Sequence, residues 1–277
     1  MAQIWKTRMA ETRKQFPLPP VDGTSDLIPW ETNVLVANGL RYEPRPTLHG
    51  YAAYTPALAK LNSQKYSGRE APDNVFVKAG AIDRRLATME DSILRLDLLS
   101  RYEITGQTEA FLHLRKRHVP LAVSRRVLAT HTATIGQIVD VPKPTDNDSV
   151  VWMRIAHKRS LAGKLLSQLY KPPGLWLKVR TEDRIYGFRF LTSNEEEGFI
   201  VSPLIVDMPS LKATFARQSP NNDFVPIQLI VSSMPNESAA WYFGESMTIE
   251  FSEVRTSSCL AVPVEAVSNR ASDGRVC

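Results

Sequence analysis

The chain has 277 residues, 43% of them hydrophobic and 23% charged, and a net charge of +5; this is a globular composition at about twice the commonest domain size. No run approaches the ~18–20 uninterrupted apolar residues of a membrane-spanning helix, and the opening "MAQIWKTRMAETRKQFPLPP" is basic without the apolar stretch of a secretory signal. As it stands, the chain reads as soluble.

Charge is unevenly placed. Residues 1–130 hold 19 Lys+Arg against 13 Asp+Glu, and residues 131–277 hold 15 against 16. Apart from Arg115-Lys116-Arg117 and Arg125-Arg126 the basic residues are scattered and carry no aromatic spacing, which speaks against nucleic acid as a partner. Cys259 and Cys277 are the only cysteines, and their spacing suits neither a metal site nor a redox pair.

Residues 1–19 read as a basic N-terminal segment. Pro29 suits the first turn of a helix over "PWETNVLVANGL", with Asn38-Gly39 as its stop. Thr55-Pro56 pairs an N-cap with a proline at N1 and opens a helix over "PALAKLNSQKY". Asp91 or Ser92 caps "SILRLDLLSRY", whose Ile93, Leu96, Leu99 and Tyr102 recur on one face. Between these helices "NVFVKAG" (74–80) and "AFLHLRK" (110–116) have strand character, so a small α/β layer with a largely parallel sheet is expected.

From residue 121 the texture changes to short alternating runs: "TIGQIVDV", "SVVWMRIAH", "LWLKVRT", "IYGFRFL", "GFIVSPLIV", "FVPIQLIVSS" and "MTIEFSEV". Leu175, Leu177 and Val179 share one strand face, as do Met247, Ile249 and Phe251. One helix, "KRSLAGKLLSQLY", interrupts them and stops at Pro172-Pro173-Gly174. The fold class expected is therefore α+β in two domains: a small α/β layered domain over 20–120, then an antiparallel β-sandwich over 121–258. Residues 259–277, rich in Ser, Ala and Val without periodicity, read as a disordered tail.

Several segments could carry chemistry. In "RPTLHGYAAYTPALAKLN" (45–62), Pro44 and Pro46 push Glu43 and Arg45 towards extended backbone, so Arg45 is presented from a stiff stretch. Tyr51 and Tyr54 lie just ahead of a helix, where ringed side chains beside Arg45 and His49 could stack on a sugar. The competing reading is that the two rings fill the helix–sheet seam. "AIDRRLATMEDS" follows a strand, where α/β sheets place ligands. Its Asp83, Arg84, Arg85, Glu90 and Asp91 suit an ion-paired or catalytic loop, and equally an ordinary polar one with Asp91 as a helix cap. "TDNDS" lacks the glycine and glutamate of a calcium loop. "AGKLLS" lacks the Ser/Thr of a phosphate loop, and the five histidines share no metal spacing. No cofactor or metal is expected.

The segments "RPTLHGYAAYTPALAKLN", "APDNVFV", "IDRRL" and "GFIVSPL" resemble the C-terminal soluble region of a group of uncharacterised bacterial multi-pass membrane proteins. The matching positions are Arg45, Pro46, Tyr51, Ala53, Tyr54, Thr55, Leu58 and Asn62; Ala71, Pro72 and Asp73; Ile82, Asp83 and Arg85; and Gly198, Phe199, Ser202, Pro203 and Leu204. His49-Gly50 stands where the family pattern has Gln-Ser, and Ala87 where it has proline. The resemblance spans roughly residues 20–255. It implies a cell-envelope protein, glycosyltransferase-like in kind, with membrane-embedded helices ahead of an extracytoplasmic soluble part.

Residues and resemblance together lead to an expectation of a non-catalytic glycan-recognition or accessory module, for a glycan or lipid-linked sugar. Arg45, Tyr51, Tyr54 and Asn62 would form the ligand-facing rim, with Asp83 and Arg85 on the neighbouring loop. The alternatives are an enzyme of envelope polysaccharide transfer, with catalysis in the membrane-embedded part or with Asp83 as base, and a structural protein-docking domain.

Overall fold

The computed structural model describes residues 2–146, 148–160, 163, 173–190, 192, 197–234, 239 and 242–258. The expected tail from 259 and most of the expected helix over 158–170 lie outside the described residues, and the first two residues of that helix, Lys158 and Arg159, end a strand instead. The basic N-terminal segment forms a helix, α1 (Ala2–Gln15), and among the described residues no helix is long and apolar enough to cross a membrane.

The first layer is a mixed five-stranded sheet built from β1 (Thr24–Ile28), β2 (Arg41–Tyr42), β3 (Asn74–Val77), β4 (Tyr102–Gln107) and β5 (Leu112–Lys116), in the order β2-β1-β3-β5-β4. Strand β1 runs parallel to β2 and β3, whereas β5 is antiparallel to both β3 and β4. The largely parallel sheet expected from the sequence is thus only half realised. The reason is local: Thr108–Phe111 closes β4 onto β5, its backbone bond from Thr108 N to Phe111 O being 2.8 Å, and so short a connection can only join antiparallel strands.

Three helices sit in these connections. The first, α2 (Asn33–Ala37), is shorter than expected, starting after Thr32 and ending at Asn38 with Gly39 at φ +71°. The second, α3 (Pro56–Ser67), begins as the sequence indicates: Thr55 is extended, its side chain accepts Leu58 N at 3.3 Å, and Pro56 opens the first turn. The third, α4 (Ser92–Arg101), follows Asp91, whose backbone is left-handed at φ 52° and whose side chain makes no capping bond.

All seven alternating runs form strands. With β6 (Ala122–Ala133) they are β7 (Ile138–Asp140), β8 (Val150–Arg159), β9 (Leu175–Arg180), β10 (Ile185–Phe190), β11 (Phe199–Ser202), β12 (Gln228–Ser233) and β13 (Phe243–Ser257). They make two open four-stranded sheets, β10-β9-β12-β7 and β11-β8-β13-β6, each antiparallel throughout. Leu175, Leu177 and Val179 are buried in the same apolar cluster as Met247, Ile249 and Phe251, so the two sheets share one core. A last helix, α5 (Met208–Phe215), is opened by a capping box in which Asp207 and Ser210 satisfy each other's backbone.

Helix α4 buries two faces rather than the single one its sequence suggested. Leu94 and Leu98 join Val75, Val77, Leu112 and Leu114 under the first sheet, while Leu96 and Leu99 pack on Val150, Trp152, Ile200 and Val254 of the β11-β8-β13-β6 sheet. Two further segments cross between the layers. Leu86 and Met89 enter the core shared by the antiparallel sheets, and Ile205 and Leu211 enter the core of the first layer. Thr88 completes the junction by donating to Ile200 O at 2.6 Å.

Candidate functional site

The site begins with a charge in the middle of a central strand. Asp26 lies between Ser25 and Leu27 on β1 and is fully buried. One carboxylate oxygen accepts Leu27 N at 2.7 Å; the other accepts the Tyr66 hydroxyl at 2.7 Å and Arg45 Nη1 at 2.9 Å. A buried carboxylate needs such partners, because ion desolvation costs several kcal/mol.

Arg45 is itself 1% exposed. Besides Asp26 it donates to Thr47 O (3.0 Å), Leu27 O (3.1 Å) and Pro29 O (2.7 Å), so its fork is spent on fixing the chain around the end of β1. Burial works against its charge, but Asp26, Tyr66 and Asp91 outweigh this and hold the guanidinium pKa above its ordinary value. Its Nε lies 3.7 Å from Asp91 Oδ2, which also accepts Asn62 Nδ2 at 2.7 Å. Asn62, reaching in from α3, further accepts Thr47 N at 2.9 Å. Burial pushes Asp91 up to about 6, against the opposing pull of Arg45, Asn62 and Arg95.

From Asp91 the charges alternate outward. Arg95, lowered by burial, faces both Asp91 and Glu90. Glu90, raised by burial, accepts Ile82 N at 3.2 Å and lies 3.6 Å from Arg85 Nη1. Arg85 is 3.5 Å from Asp83, and Asp83 is 3.4 Å from Arg189 on β10. The sequence Asp26, Arg45, Asp91, Arg95, Glu90, Arg85, Asp83, Arg189 is therefore a ladder of alternating sign. It runs from the interior of the first sheet to the surface at the edge of β10.

The outer end of this ladder adjoins a group of rings beyond the C-terminal ends of β1 and β3. Arg85 Nη1 donates to Tyr51 O at 3.5 Å. The Tyr51 hydroxyl and His49 Nδ1 are 2.7 Å apart, and the Tyr51 ring lies 5.1 Å from His49 and 6.2 Å from Trp30, centroid to centroid. Lys78 pairs with Glu31, its ammonium 5.2 Å from the Trp30 ring centre. All of these side chains are half-buried, whereas Tyr54, three residues past Tyr51, is 58% exposed.

The six residues expected at a ligand-facing rim thus divide. Arg45 and Asn62 lie in the interior, because the Pro-flanked segment runs beneath the strand ends instead of over them. Tyr51, Asp83 and Arg85 come together at the surface, and Tyr54 projects into solvent. Sequence reading passed over Asp26, Trp30, Arg95 and Arg189. Only Asp26 left a visible sign, a carboxylate directly ahead of the apolar Leu27-Ile28 end of its strand. Among the described residues no three His, Cys, Asp or Glu side chains group as metal ligands. No protein-family model matches the chain, and no curated protein is significantly similar to it.

Proposed function

We propose that this chain is a non-catalytic recognition module that holds a glycan against the edge formed by Trp30, His49, Tyr51 and Tyr54. In this reading it serves as an extracytoplasmic accessory part of a cell-envelope membrane protein, with an α/β domain carrying the site and a β-sandwich supporting it. The observation that carries the reading is the gathering of three half-buried rings beside the pair of exposed Asp83 and half-buried Arg85, over a ladder that fixes their backbone. Sugars present an apolar ring face and a rim of hydroxyls, which aromatic faces and charged hydrogen-bonding groups recognise together.

The test is affinity electrophoresis of the full chain through gels containing bacterial envelope polysaccharide. Wild type is expected to be retarded. Tyr51→Ala and Tyr54→Ala are expected to migrate freely while melting close to wild type. Free migration of the wild type, or equal loss of folding in both variants, overturns the reading.

A further inference from the structure

We infer that the glycan is acidic, and that Arg84, Arg85 and Arg189 grip a carboxylate on one of its sugars. This rests on the recognition edge proposed above and adds the class of its ligand.

Inside the protein the ladder is balanced, each arginine facing an acid. At the surface the balance breaks. Asp83 offers a single oxygen, Oδ2, to both Arg85 and Arg189, at 3.5 and 3.4 Å. Direct charge-assisted bonds are shorter, about 2.7–2.9 Å, so this shared contact leaves both forks with donors to spare. Arg85 Nε is buried without a hydrogen-bond partner. Arg84, exposed and next to Asp83 along the chain, makes no ion pair among the described residues. Two guanidinium groups thus share one surface carboxylate oxygen, with the exposed Arg84 next to it along the chain, and the rung that would continue the alternation is missing.

The backbone holds this arrangement under strain. Asp83 and Arg84 are consecutive left-handed residues, at φ 52° and 58°, a conformation that non-glycine residues rarely adopt. It is pinned from both sides: Arg189 N donates to Arg84 O at 2.9 Å, and Leu86, two residues on, is buried in the core of the antiparallel sheets. Such strain persists only where the surroundings over-determine it. Here it leaves Arg84 exposed, with its carbonyl held by Arg189 N and Arg85 following it along the chain. A planar carboxylate matches the guanidinium fork in two-point geometry, which a neutral hydroxyl does not.

The experiment is calorimetric titration of the full chain with oligogalacturonate and with its neutral methyl ester. The acid is expected to bind at least about tenfold more tightly, the size of one charge-assisted contact. Arg84→Ala should reduce that preference by about the same factor, and Arg84→Lys should restore part of it. Arg84→Ala should melt as wild type, because its side chain is exposed and unpaired among the described residues. Equal binding of acid and ester overturns the acidic assignment and leaves the glycan edge standing. Binding of neither overturns the glycan edge itself.

Discussion

Arg45→Ala is the substitution that most directly tests the ladder. It removes four hydrogen bonds, leaves Asp26 buried without its cation and leaves Asp91 with Arg95 alone. Breaking a buried pair by deleting one partner costs about 3–5 kcal/mol, most of it the penalty on the charge left behind. Against a total stability of ~5–15 kcal/mol this is a large fraction. For a chain of this size it should lower the melting temperature by roughly 6–20 °C. The assay is thermal melting followed by far-ultraviolet circular dichroism, repeated in an Asp91→Asn background. There one stranded charge is gone, so the cost of Arg45→Ala should shrink by about 0.5–3 kcal/mol. A loss under 1 kcal/mol, or an undiminished cost in the Asp91→Asn background, would refute the coupling described here.

Three further outcomes are expected. Burial raises Asp91 from 3.8 to about 6, so between those values the native chain keeps a proton that the unfolded chain has lost. Stability should therefore fall as pH rises through that window, by about 3 kcal/mol for a shift of this size, and urea titrations of Asp91→Asn should show a flatter profile. Gly198→Ala should cost at least about 1–2 kcal/mol from φ +85° alone; the new Cβ would also fall 2.2 Å from Trp152 Nε1 and 2.7 Å from Met153 O, and the melting temperature reads the sum. Thr55→Ala deletes the cap of α3 and should cost ~1 kcal/mol in the same melt.

What could be read from the sequence was what neighbours along the chain decide. The Thr55-Pro56 helix start needs four residues, and the strand faces at Leu175–Val179 and Met247–Phe251 need an alternation of two. Strand β6 escaped because "AVSRRVLATHTA" is an edge, its side chains largely exposed on both faces, so no apolar period marks it. The eight-residue α5 was too short to announce a period. Helix α4 misled for the opposite reason: with Leu94 and Leu98 on one side and Leu96 and Leu99 on another, its apolar residues fit several stripes, and only the second layer decides between them. The interior places of Arg45 and Asn62 were illegible because their partners are remote. Asp26 precedes Arg45 by 19 residues, and Asp91 follows Asn62 by 29. Asp91, a plausible cap by position, instead turns its carboxylate inward to these two.

The exchange of side chains between layers has a practical consequence for anyone dividing this protein. Cut after residue 120, the C-terminal piece would part with Leu86 and Met89 from its core and uncover Trp152 and Ile200, where Leu96 and Leu99 now lie. The N-terminal piece would be left without Ile205 and Leu211. Each fragment would carry a raw apolar wound, the kind of surface that drives aggregation. Because Phe16 and Leu18 also pack on the Leu27, Val34, Leu35, Phe76 and Phe111 cluster, crystallisation, binding and fusion work are best begun with residues 2–258 kept whole.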